Sequence, residues 1–138
     1  MTSMNDFTMQ PEIIVSEEDH RKLLTLAMAG IGHSADAADD LLYELERAQI
    51  QAVDRLESDV VRMGSRVRYR LHGSGEREVH LVYPADADIS RGAISVLTPI
   101  GTALLGLRTG QSITLFSRDG RNLALTVLAV WQQQPAVL

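Results

Sequence analysis

The sequence predicts an α+β protein: a short antiparallel helical hairpin, then a small antiparallel β-sheet carrying one short helix. Three observations lead there. Near Val60 the spacing of apolar residues changes from the three-and-four step of a helix to the two-step of a strand. Charge divides at the same place. Residues 1–59 hold 13 acids and 4 bases, a balance of −9, while residues 60–138 hold 5 acids and 9 bases, a balance of +4. Finally, 45% of the 138 residues are hydrophobic but only six are aromatic, so the core must be aliphatic.

The elements follow in order. Residues 1–11, polar and rich in Met up to Pro11, are expected to be disordered. Residues 12–56 form the hairpin and 57–138 the sheet domain. Ile13, Ile14 and Val15 make a short β-branched run. Ser16 then suits an N-cap, with Glu17, Glu18 and Asp19 in the first helical turn, where acids complement the free N–H groups and the macrodipole. Leu23, Leu24, Ala27, Met28 and Ile31 share one face, and Gly30 and Gly32 end the helix. Ser34 or Asp36 opens a second helix. Its stripe is Ala38, Leu41, Leu42 and Leu45, reaching Ala48 or Ala52, and Asp39, Asp40, Glu44 and Glu46 avoid it. Neither stripe can be buried alone, so the helices pack as an αα-hairpin. About 14 residues per helix reach only ~21 Å.

In "RVRYRL", Arg66, Arg68 and Arg70 point to one side and Val67, Tyr69 and Leu71 to the other, the pattern of a half-buried strand. "HGSGE" is a turn, "REVHLVY" a second strand ended by Pro84, and "PADADISRG" an acidic loop. "AISVL", "QSITLFS" and "NLALTVLAVW" are three further strands, the last two joined by the hairpin signal "RDGR". Between them Thr98 suits an N-cap, Pro99 the first helical position and Gly106 the residue after the helix. Pro99 to Leu105 therefore makes about two turns, with Ile100, Ala103, Leu104 and Leu107 able to lie on the sheet. The same stretch has the glycine spacing of a phosphate-binding loop. Leu107 stands where that loop needs Lys, however, and the interior Ala103-Leu104-Leu105 is apolar, so nucleotide binding is not expected.

Other chemistry is excluded in turn. The chain has no Cys, hence no disulfide or thiolate metal site. "MTSMNDFTMQ" lacks the basic start and apolar run of a signal peptide, and no apolar stretch approaches the ~18 residues of a membrane span. The expectation is a soluble, cytoplasmic protein with no membrane partner. His20, His33, His72 and His80 have no metal-ligand spacing, and no nucleophile–base pair can be argued. No catalytic residue, metal or cofactor is expected.

"MGSRVRYRL", "VYPADADISRGAISVLTPIGTALLGLRTGQSI" and "DG" resemble the C-terminal domain of the Gre transcript cleavage factors. That domain reads approximately G-S-x-V, a D-E-A-D loop, then I-S-x-x-S-P-I-x-x-A-L-L-G-x-x-x-G-D. "IIVSEEDHRKLLTL" and "LLYELERAQ" extend the resemblance to a short-hairpin branch, the nucleoside diphosphate kinase regulators, over residues 12–132. The resemblance implies an FKBP-like C-terminal domain that docks on RNA polymerase at the secondary-channel rim, against a coiled coil of the β′ subunit. In Gre factors a long N-terminal coiled coil then carries two acids to the catalytic Mg²⁺ and activates transcript cleavage. The short-hairpin branch holds the same rim without stimulating cleavage, as a non-enzymatic regulator. The docking residues carried over are Asp86 and Asp88 in the acidic loop and Thr98, Pro99 and Ile100 in the turn. Thr98 replaces the family Ser and keeps its hydroxyl, while Ala87 departs from the acid-flanked pattern.

Two clusters keep two readings each. Asp36, Asp39 and Asp40 near the hairpin tip either hold Mg²⁺, as in a cleavage factor, or complement the helix dipole on a solvated face. The short reach favours the second. Arg66, Arg68 and Arg70 either contact an acidic polymerase surface or RNA, or form a solvated sheet face. No aromatic is interleaved among them to stack bases, so sequence-specific nucleic-acid recognition is not expected. An FKBP-like fold also raises prolyl isomerisation. The sheet domain offers only Tyr69, Tyr83, Phe116 and Trp131 for such a pocket, without that family's motifs. A monomer is expected.

Overall fold

A computed structural model describes residues 10–29, 34–116 and 122–132. The expectations for residues 1–9, for Gly30, Ile31 and Gly32, and for the "RDGR" turn lie outside them. Strand β1 (Ile14–Ser16) runs directly into helix α1 (Glu17–Ala29), and α2 (Ala35–Arg47) returns into β2 (Gln49–Gln51). Ser16 Oγ accepts from the Asp19 amide at 3.0 Å, and Ser34 Oγ from the Ala37 amide at 3.1 Å. Ser34 is thus the cap of α2, and Asp36 sits in its first turn. The helix ends at Arg47 because Ala48 is extended, so Ala52 lies beyond it. Leu23 and Ala27 of α1 and Ala38, Leu41 and Leu45 of α2 are buried. Met28, expected on the apolar face, is 71% exposed. It stands one residue, about 100°, round the helix from Ala27 and falls off the contact line.

The β-branched run finds a partner that spacing could not supply. β1 pairs in parallel with β2, Ile14 opposite Gln49 and Ser16 opposite Gln51. The strands therefore close the base of the hairpin.

After a short 3₁₀ turn (Val53–Arg55) come β3 (Arg66–Leu71), β4 (Gly75–Val82), two 3₁₀ turns (Pro84–Asp86 and Ile89–Arg91), β5 (Ala93–Ser95), α3 (Pro99–Leu104), β6 (Ser112–Phe116) and β7 (Asn122–Trp131). The sheet order is β5-β4-β3-β7-β6. The expected antiparallel sheet is in fact mixed, because β5 runs parallel to β4. The cause is the connection between them. Instead of a hairpin, the chain doubles back along the sheet edge through the two 3₁₀ turns and starts β5 in the direction of β4. All other neighbours are antiparallel. Val67, Tyr69, Val79, Leu81, Ile113, Leu125 and Val127 are buried on the inner face, while Arg66, Arg68 and Arg70 face out.

Helix α3 forms as its sequence requires. Thr98 Oγ1 accepts from the Gly101 amide at 3.1 Å and donates to the Ser95 carbonyl at 2.7 Å, and Pro99 follows as the first helical residue. Ala103, Leu104, Leu105 and Leu107 are buried. α3 lies against α2 on one side and β6 on the other. Gly106 then reverses the chain at φ +81°. A Cβ there would stand 2.7 Å from Ile13 Cβ and 3.1 Å from the Ile14 amide nitrogen. The Ile14 N–H donates to the Gly106 carbonyl (3.2 Å), the Gly106 N–H to Val61 (3.0 Å), and the Val61 N–H to Leu107 (2.8 Å). Through this seam Ile13, Leu23, Leu41 and Leu45 join Val67, Leu81, Leu104 and Leu125 in one apolar cluster.

A second tie crosses the seam. The Asp19 carboxylate on α1 accepts from the Met63 amide at 3.3 Å. Burial raises the Asp19 pKa; the Met63 hydrogen bond opposes that, and Glu18 adds to it.

Two outcomes are expected from the seam. Gly106→Ala combines a disfavoured φ with an overpacked Cβ, and should lower unfolding free energy by on the order of 3 kcal/mol in urea denaturation. An unchanged midpoint would mean that the seam can open without cost. For Asp19, the raised folded pKa means that the folded chain binds a proton more readily than the unfolded chain. Its contribution to stability therefore grows as pH falls through that raised value and is complete below the ordinary 3.8. Compared with Asp19→Asn, the wild-type urea midpoint should rise as pH is lowered from neutrality toward the carboxylate range. A pH-independent difference would contradict the burial of this carboxylate.

Candidate docking surface

The β4–β5 connection builds a rigid acidic rim at the sheet edge. Asp88 caps the second 3₁₀ turn: its Oδ1 accepts from the Ser90 amide (3.1 Å) and the Ser90 hydroxyl (2.6 Å). Its Oδ2 lies 3.6 Å from Arg91 Nε. Its backbone exchanges two hydrogen bonds with Ala93, at 2.8 and 3.0 Å, and Gly92 closes the turn at φ +73°. The Asp86 amide donates to the Tyr83 carbonyl at 2.9 Å, and its side chain is exposed. Between the two acids and the sheet runs a shallow groove of about 520 Å³, lined by Gly64, His80, Val82, Asp86, Asp88 and Arg91 among others.

At Gly64 and His80 the groove passes into a second depression of about 210 Å³, completed by Arg66, Trp131 and Gln132. Here the guanidinium of Arg66 lies over the Trp131 ring, 4.6 Å from its centroid. The expected absence of an aromatic among the arginines is thus corrected. Trp131 ends β7, and only the β3–β7 register sets it opposite Arg66. The three arginines are also ion-paired across to β4: Arg66 and Arg68 with Glu78 (3.3 and 3.4 Å) and Arg70 with Glu76 (3.1 Å). The face is a cross-strand charge ladder rather than a bare basic patch.

Thr98, Pro99 and Ile100 lie elsewhere. Pro99 lines a cleft of about 290 Å³ between α2, α3 and β6, with Tyr43, Asp40, Thr102 and Ile113. The Thr98 hydroxyl is spent on the helix cap, as donor and acceptor. Ile100 packs against the core. The acidic loop and the turn therefore flank β5 from its two ends and share no groove.

The tip acids share one side of α2: Asp36 is in its first turn, and Asp39 and Asp40 follow three and four residues on, all three exposed. Asp40 also lines the α2–α3–β6 cleft. Among the described residues no group of three or more His, Asp or Glu could hold a metal ion. One turn below Asp40, Glu44 is buried and paired with Arg47 at 2.8 Å; burial pushes its carboxyl up and Arg47 pulls it down. Tyr83, next to the acidic loop, has a buried hydroxyl with no hydrogen-bond partner among the described residues. Burial, reinforced by Asp19 and Glu18, pushes it up to about 12.

Sequence reasoning passed over Ile89, and weighed Trp131 only for an isomerase pocket and not beside the arginines. Ile89 is 88% exposed at the crest of the acidic loop. An isoleucine inside "ADADIS" was a visible signal. The bracing by Asp88 yields its own expectation. Asp88→Ala should accelerate hydrogen exchange at the Ser90 and Ala93 amides and cost about 1 kcal/mol of stability. Unchanged protection would show that the backbone bridge alone holds the turn.

Comparison with known proteins agrees with this architecture. Residues 56–132 match the family described as transcription elongation factor, GreA/GreB, C-terminal. The chain is 41% identical over 105 residues to the Regulator of nucleoside diphosphate kinase of Escherichia coli strain K12, covering 75% of this chain and 77% of that protein. It is 34% identical over 77 residues to Transcription elongation factor GreA of Thermodesulfovibrio yellowstonii, covering 55% of this chain and 49% of that factor. The structure superposes on a prokaryotic transcription elongation factor GreA/GreB from Nitrosomonas europaea with a TM-score of 0.67 and 36% identity. That match covers 88% of this chain and 98% of the other. With its hairpin, mixed sheet, acidic loop and Thr-Pro-Ile turn in this arrangement, the chain belongs to the GreA/GreB transcription elongation factor family.

Proposed function

We propose that this protein is a non-enzymatic regulator that binds RNA polymerase at the secondary-channel rim, against the β′ coiled coil. It competes there with Gre factors and does not stimulate transcript cleavage. The observation that carries this reading is the length of the hairpin. Its helices have 13 residues each, ~20 Å along the axis, about half of what a Gre coiled coil needs to reach the catalytic metal. Residues 57–138 act as an FKBP-like docking domain and residues 12–56 as the short hairpin it carries. Regulation of nucleoside diphosphate kinase, stated in the name of the Escherichia coli relative, belongs to the same reading.

Docking uses two contacts, the Asp86–Asp88 loop and the Thr98–Ile100 turn. β5 separates them, is three residues long and forms the sheet edge. A rod-like partner lying along that edge touches both, over ~10 Å of strand plus the flanking turns. Of the four aromatics of the sheet domain, Tyr69 is buried on the inner face of the sheet and Trp131 stands on the outer face, so these two do not share a pocket.

The test is transcript cleavage by a backtracked polymerase complex, with this protein alone and then against a Gre factor. The expected result is no cleavage alone and inhibition of the Gre-stimulated reaction. Cleavage by the protein alone would show that Asp36, Asp39 or Asp40 does reach the metal. Neither cleavage nor competition would direct the docking domain to another partner.

A further inference from the structure

We infer that Ile89 is the apolar anchor of the docking surface, inserted into a socket of the partner whose rim carries a basic side chain aimed at Asp86. The inference rests on the polymerase-docking reading and adds to it the residue that holds the partner and the chemistry of the surface that receives it.

Three observations converge on Ile89. It is the most exposed large hydrophobic residue among those described, at 88%, so its side chain contributes almost nothing to folding. A single exposed apolar residue is ordinary on a protein surface. This one differs in being held still. The two hydrogen bonds from Ser90 to Asp88, the double backbone bridge between Asp88 and Ala93, and the Gly92 turn fix the loop on both sides of it. A side chain presented on a braced turn has already met the ordering cost that weakens flexible contacts. Binding energy concentrates on such anchors when polar groups surround them and exclude water.

The surroundings define the partner. Asp88 is occupied by Ser90 and Arg91. Asp86, also exposed, enters no ion pair or side-chain hydrogen bond among the described residues. Its negative charge is the one left to a partner. Ala85 and Ala87 are exposed too, so the loop alternates small apolar and acidic residues up to Ile89. Beside it lies the 520 Å³ groove, polar at His80 and Arg91 and apolar at Val82. The complementary surface is an apolar socket with a cationic rim, presented by a protein rather than by nucleic acid, whose phosphates Asp86 would repel.

The test compares wild-type protein, Ile89→Ser and Asp86→Asn for binding to immobilised RNA polymerase core enzyme, with rates measured at two salt concentrations. Both positions are exposed, and thermal unfolding of each variant verifies that the fold is kept. Ile89→Ser should weaken binding by about tenfold or more, through faster dissociation and with the wild-type salt dependence. Asp86→Asn should slow association and reduce the salt dependence. Binding of Ile89→Ser at wild-type affinity, where wild type itself binds, overturns the anchor and leaves the docking reading standing. Absence of wild-type binding overturns the docking reading, and the anchor with it.

Discussion

Ile13 and Ile14 cross Gly106 so closely that a single added carbon would meet Ile13 Cβ at 2.7 Å. The hairpin base and the sheet domain become one packed body at that crossing. The Gly106 carbonyl takes the Ile14 amide, its own amide goes to Val61, and Leu107 takes the Val61 amide. Three segments far apart in sequence are thereby laid side by side. The burial of Leu104, Leu105 and Leu107 follows from that layering. α3 can then lie between α2 and β6, with apolar contacts on both sides. The apolar stripe of the hairpin and the inner face of the sheet cover each other in one cluster across this seam.

This packing leaves β5 at the edge of the sheet, away from the seam. β5 pairs on one side only, and the connection before it has no core to enter. The loop is ordered instead by short-range polar chemistry: a capping aspartate, a serine hydroxyl, a backbone bridge and one left-handed glycine. Order without burial lets a loop present side chains at fixed positions, which is the property a docking surface needs. The acids that brace it and the isoleucine that it exposes come from the same few residues.

Electrostatics separates the two faces of the sheet domain in a way that net charge does not reveal. The +4 balance of residues 60–138 suggests a basic surface. Glu76 and Glu78 answer the three arginines of β3 across the strand, and Trp131 takes up the guanidinium of Arg66. These pairs are half-exposed and screened by salt, so they organise the face more than they stabilise it. In the loop at the sheet edge, Asp86 is the exposed acid that enters no ion pair among the described residues.

Local chemistry was legible in the sequence wherever one element settles its own structure. Ser16 and Ser34 cap helices because their hydroxyls meet free N–H groups a few residues away. The Thr98-Pro99 start of α3, the left-handed Gly106 and the full span of β7 follow from equally short-range rules. The acidic loop and the Thr-Pro-Ile turn were likewise visible as motifs. Long-range pairing was decided by the tertiary structure. No spacing rule says that Ile14 pairs with Gln49, that β5 runs parallel to β4, or that Trp131 stands opposite Arg66. Nor does it say that the loop and the turn flank one edge strand without sharing a groove. Those choices depend on which buried surfaces fit together across the whole chain, and a backbone hydrogen bond between distant strands leaves no local trace in either one.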